Sequence, residues 1–146
     1  MKFLCLIYMN EEEREAIPQE QWEPLMLEGF AWGDEFRSRG VFLGGNALQP
    51  VRTGVTLRRK RGERSFTDGP YAETKEQLAG YTLIEAPDLE AAKEIALTLP
   101  PGRVGSVEVR PVWERDDLVA RRVTAGRDPK ESGQAPVTSS SPTSVL

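Results

Sequence analysis

Lys2-Phe3-Leu4-Cys5-Leu6-Ile7-Tyr8-Met9 is the stretch that decides how this chain folds. As a strand it puts Phe3, Cys5 and Ile7 on one face and Leu4, Leu6 and Tyr8 on the other, because successive side chains alternate. Both faces are apolar, so the strand belongs in the middle of a sheet with something packed on each side. A secretory leader is the competing interpretation. Against it, the apolar run is short, leads into Asn10 and the acidic Glu11-Glu12-Glu13, and has no small-residue cleavage site.

Working outward, the acidic run reads as a solvated linker. After it, Pro18 suits a first helical turn, and Trp22, Leu25, Met26, Gly29, Trp32, Gly33 and Phe36 recur with helical spacing until Gly40. Val41 to Leu48 returns as a strand closed by Pro50, with Gly44-Gly45 there for close backbone packing. Thr53 to Arg59 and Arg64 to Thr67 form a hairpin that turns at Arg61-Gly62-Glu63. Leu78 to Glu85 is a strand, Asp88 caps a short helix carrying Leu89, Ala92, Ile95 and Leu99 inward, and Val104 to Val112 is the last strand.

The order β-α-β, hairpin, β-α-β predicts an α+β, ferredoxin-like sandwich in which both helices cover one face of an antiparallel sheet. The other face is then apolar and bare, and a second copy of the chain is the simplest cover. A homodimer with two sheets face to face is therefore expected. The domain occupies residues 1 to about 113. Residues 114–146 read as a charged helix followed by a mobile Ser/Thr/Pro-rich tail, whose five basic and five acidic side chains cancel.

Composition narrows the function. At 146 residues the chain holds one domain plus appendages. No stretch approaches the ~20 consecutive apolar residues of a membrane helix. A lone cysteine, Cys5, permits no intrachain disulfide and reads as a buried thiol, so a cytoplasmic location is the default. The count of zero histidines removes the usual zinc and non-haem iron ligand sets and every Ser-His or Cys-His pair. A net charge of −4 argues against whole-molecule attraction to nucleic acid. The basic cluster Arg52, Arg58, Arg59, Lys60, Arg61 and Arg64 could form an anion or nucleic-acid surface, but it has no interleaved aromatic residue for stacking bases and is better explained as protection of a sheet edge.

The loop from Asp68 to Gln77 gathers turn residues, an aromatic ring and ionisable groups between two strands. Gly69 frees the backbone and Pro70 restricts it, which together fix the direction of Asp68. Near neutrality its carboxyl is an anion, suited to act as a base or hydrogen-bond acceptor. The alternative is an Asx-type turn in which that carboxylate only accepts local backbone N–H bonds. Tyr71 and Tyr81 could supply phenol donors and stacking surface, and Arg110 could hold an anionic substrate.

The chain resembles the YCII-related family, in the subgroup named for its DGPF motif. The similarity runs from Leu4-Cys5-Leu6-Ile7-Tyr8 through Gly45-Asn46-Ala47-Leu48-Gln49-Pro50 and Thr67-Asp68-Gly69-Pro70-Tyr71-Ala72-Glu73-Thr74-Lys75-Glu76-Gln77 to Gly105-Ser106-Val107-Glu108-Val109-Arg110-Pro111-Val112. The resemblance implies a dimeric α+β barrel of ferredoxin-like protomers, and it makes Asp68 the leading catalytic residue. Here the motif reads DGPY, with Tyr71 in place of phenylalanine. The broader family is associated with a His–Asp pair, which this chain cannot form. Relatives sharing the barrel include isomerases, cofactor-free oxygenases and pure binding proteins, and the subgroup tends to be encoded near alternative sigma factors, which implies a regulatory setting.

Two functions follow. One is a small-molecule enzyme with Asp68 as base or polar anchor in a cleft between sheet and helices, needing neither metal nor cofactor. The other is a noncatalytic ligand- or partner-binding dimer, with the Asp68 loop as a structural latch or contact surface.

Overall fold

A computed structural model of the chain describes residues 1–125. Its elements run β1 (Lys2–Met9), α1 (Glu11–Glu15), α2 (Gln19–Ser38), β2 (Phe42–Ala47), β3 (Val55–Lys60), β4 (Glu63–Asp68), β5 (Gln77–Glu85), α3 (Leu89–Leu97), β6 (Ser106–Pro111) and α4 (Arg115–Ala125), with 3-10 turns at Val51–Thr53 and Pro100–Arg103. Four strands form an antiparallel sheet in the order β2-β5-β1-β6, and β3 and β4 pair only with each other. With that hairpin counted as an insertion, the order is that of a ferredoxin-like α+β sandwich.

The two-faced strand sits where its composition requires. Phe3, Cys5, Ile7 and Met9 are buried, and the residues between them are half-buried. Phe3, Cys5 and Ile84 are wholly enclosed against Trp32, Phe36, Ala92, Ala96 and Leu99 from the helical layer. Each large side chain removed from water there contributes roughly 1.5–3 kcal/mol. Burial also pushes the Cys5 thiol up to about 11, so it is a packed hydrophobe with no thiolate at neutral pH.

The opposite face follows from strand register. Asn46, Tyr81, Leu6 and Glu108 form one row across the sheet, and Leu83, Leu4 and Arg110 form the next. Leu4, Leu6, Tyr8, Leu78 and Leu83 are half-buried, on the face opposite the core that α2 and α3 cover within this unit.

Two local features differ from the linker and hairpin expected from the sequence. The acidic run is helical: the Asn10 Oδ1 accepts from the Glu13 N–H at 3.0 Å, and three glutamates in the first turn complement the helix dipole. The signal was present, since Asn followed three residues later by Glu resembles a capping box. The hairpin turns on Arg61 and Gly62 alone, at φ 52° and 81°, the type I′ geometry that matches strand twist. It stands clear of the main sheet as an arm, with Phe66 73% exposed.

The chain divides after Val112 into two units. In the second, the Arg121 guanidinium lies 4.1 Å from the centre of the Trp113 ring. The Ser/Thr/Pro-rich stretch read as a mobile tail lies outside the described residues. Among the described residues, no helix is long and apolar enough to cross a membrane.

Candidate functional site

Between α2 and the β2–β5 side of the sheet lies a cleft of about 530 Å³. It exists because both walls carry residues too small to fill it. Gly29 and Gly33 lie one turn apart on α2, and Gly45, Ala47, Ala79 and Gly80 face them from the strands. Gly45 and Gly80 are small for sheet pairing, since an added Cβ would stand 2.6 Å from the Tyr81 carbonyl oxygen and 2.9 Å from that of Asn46 respectively. Gly29 is different, because a Cβ there would meet nothing within 4 Å.

The remaining lining is predominantly apolar. Trp32 is fixed in it by stacking on Phe36 at 4.4 Å, by an edge contact with Phe42 at 5.9 Å, and by an indole N–H donated to the Thr98 hydroxyl at 2.7 Å. Leu25, Met26 and Phe30 add to the helical wall, and Leu99 and Pro100 to the wall beyond.

Its charged groups come from α1. The Glu11 carboxylate accepts from the Val51 N–H at 2.8 Å, tying α1 to the turn after β2. The Glu15 carboxylate pairs with Arg52 at 3.5 Å. Arg14 lies over the Trp22 ring at 4.7 Å, and both line the cleft.

The residues singled out from the sequence fall into two groups. Asp68 ends β4 opposite Val55, is exposed, and does not line the cleft. Among the described residues nothing donates a hydrogen bond to its carboxylate. The neighbouring Gly69, at φ 98°, gives its N–H to the Gly54 carbonyl at 2.8 Å, and the Thr56 hydroxyl donates to the Gly69 carbonyl at 2.9 Å. The loop is thus fastened by its backbone, and no Asx turn forms at Asp68. Tyr71 is 81% exposed, with Arg58 donating to its carbonyl at 2.9 Å and lying 5.9 Å from its ring centre.

Tyr81 and Arg110 make the second group. The Tyr81 hydroxyl accepts from the Asn46 amide at 2.9 Å, and its ring shares the bare sheet face with Leu6. Arg110 lies on the same face, its Nε 3.6 Å from a Glu108 oxygen. Strand spacing puts these two Cα atoms ~12 Å apart. The two groups share no hydrogen bond or ion pair among the described residues, and none of their side chains supplies the cleft's charge. Of the cleft residues, Arg14 and Phe30 were not singled out from the sequence, and Trp22 and Met26 only as members of the helical stripe.

The YCII-related domain profile matches residues 1–116. The chain belongs to the YCII-related family. An uncharacterized protein of Rhizobium meliloti (strain 1021) is 35% identical over 114 residues, covering 77% of this chain and 92% of that protein. The cleft, the arm and the bare sheet face all fall inside the YCII-related domain, whereas most of α4 lies beyond it. Among its described residues, no group of three or more Asp, Glu, Cys or His side chains is arranged to hold a metal ion.

Proposed function

We propose that this YCII-related protein is a homodimer that binds a small, largely apolar molecule in the cleft between α2 and the sheet. The observation that carries the proposal is the cleft itself, about 530 Å³ with a predominantly apolar lining, within the ~300–1,000 Å³ range of small-molecule sites. The dimer is supported by the bare face of Leu4, Leu6, Tyr8, Leu78 and Leu83, which a second sheet would cover.

Intrinsic fluorescence tests the ligand site, because Trp22 and Trp32 both line it. A panel of small aromatic and aliphatic compounds should perturb tryptophan emission in the natural protein and fail to do so in Gly29→Met, whose side chain would occupy the space. Equal responses from both proteins would refute the cleft as the binding site. Light scattering tests the dimer: Leu6→Glu should give a monomer, and a monomeric natural protein at micromolar concentration would overturn it.

A second reading keeps Asp68 as a catalytic base, with Tyr71, Tyr81 and Arg110 holding the substrate. What favours it is that, among the described residues, no group donates a hydrogen bond to the exposed Asp68 carboxylate, which leaves it available as a base. Once a turned-over compound is found, Asp68→Asn should abolish turnover without altering the melting temperature. Full activity in that variant would end the assignment.

A further inference from the structure

We infer that the ligand of the cleft is a monocarboxylate with an aromatic or aliphatic body, its carboxylate held by Arg14 beside Trp22. The inference rests on the cleft being a ligand site and names the class of molecule it takes.

The argument begins with the unequal engagement of the charged groups. The carboxylates of Glu11 and Glu15 are already used, one by the Val51 N–H at 2.8 Å and the other by Arg52 at 3.5 Å. The Arg14 guanidinium joins no ion pair or hydrogen bond among the described residues, and its contact is with the face of Trp22 at 4.7 Å. The Trp22 indole N–H likewise has no acceptor there, whereas that of Trp32 is satisfied by Thr98. Two unused donors, one of them cationic, therefore border an apolar space.

That arrangement discriminates between ligand classes. A guanidinium stacked on an indole keeps its N–H edge free, and that edge matches a carboxylate in a bidentate pair. A cationic ligand would be repelled by Arg14. A doubly charged anion such as a phosphate monoester would meet Glu11 and Glu15 as well, since both line the same cleft. Deeper in, Leu25, Met26, Gly29, Phe30, Trp32 and Phe42 make the lining predominantly apolar, so the body of the ligand is largely hydrocarbon.

Titration calorimetry on the full chain at low salt tests this with two probes of one shape, 4-phenylbutyrate and 4-phenylbutan-1-ol. The acid should bind about tenfold more tightly than the alcohol, the scale of one charge-assisted hydrogen-bonded pair. Arg14→Gln should bring the two affinities within about twofold by weakening the acid alone, Arg14→Lys should keep most of the preference, and Gly29→Met should abolish both. Arg14 is exposed, so these variants should fold normally. Equal binding of acid and alcohol by the natural protein, or an undiminished preference in Arg14→Gln, would overturn the carboxylate assignment and leave the cleft as a ligand site. Absence of binding by both probes would overturn the two together.

Discussion

The Trp32 indole nitrogen donates to the Thr98 hydroxyl at 2.7 Å, and that hydroxyl donates onward to the Ile95 carbonyl at 2.7 Å. The pair joins the middle of α2 to the C-terminal cap of α3 across 66 residues of sequence. One wall of the cleft is thereby fixed by hydrogen bonding as well as by ring packing.

Removing the acceptor should be worse than its small size suggests. Thr98→Val would leave the indole N–H without a partner and should lower stability by about 1–2 kcal/mol. Trp32→Phe would remove donor and volume together. In urea unfolding, the double variant should be less destabilised than the sum of the singles, and strict additivity would show that the bond carries no coupling.

The same substitution should have opposite signs at two glycines of the cleft. Gly29→Ala puts a Cβ in open space within a helix and should raise stability by about 0.5–1 kcal/mol in urea unfolding, from helix propensity alone.

Gly45→Ala forces its Cβ to 2.6 Å from the Tyr81 carbonyl oxygen, a backbone atom with little freedom to retreat. Stability should fall by about 1–3 kcal/mol. Loss of amide-exchange protection along β2 would locate the damage.

Cys5 makes stability decline in alkali. Its thiol loses a proton near 9.0 when unfolded but only near about 11 in the folded chain, so the native state holds more protons across that window. Stability conferred by the buried thiol is complete below pH 9 and is lost as pH rises towards 11, with a limiting slope of about 1.4 kcal/mol per pH unit. At pH 8 a thiol reagent should label the protein only after denaturant is added. Rapid labelling of the native protein would contradict the burial.

Asp68→Asn should leave the melting temperature where it is, to within about 0.5 kcal/mol of stability, since the carboxylate is exposed and accepts no bond among the described residues. A clear drop would instead favour the loop as a structural latch.

Legibility from sequence tracked how local each determinant was. The central strand needed only the alternation of Phe3, Leu4 and Cys5, the hairpin only Arg61-Gly62, and the α3 start only Asp88, whose carboxylate accepts from the Ala91 N–H at 2.8 Å. The first helical turn was missed because charge was weighed ahead of the Asn10 cap. A cleft between sheet and helices was expected, but its lining was not legible, and Asp68 does not border it. Gly29 reads as one more small member of a helical stripe, and it becomes a void only once Gly80 and Ala79 arrive opposite it from fifty residues away. The surroundings of Asp68 were similarly hidden, because loop composition does not reveal that β3 and β4 leave the main sheet.

A hollow of about 530 Å³ beside so small a core also has a thermodynamic meaning. The unliganded chain forgoes the dispersion contacts that packed side chains would have made there, so its melting point sits below what its topology could support. Occupancy restores them. At a free concentration one hundred times its dissociation constant, the true ligand adds about 2.7 kcal/mol, a shift of roughly 10 °C or more for a unit of this size. The protein should therefore announce its own ligand in a simple melting screen, before any reaction or pathway has been guessed.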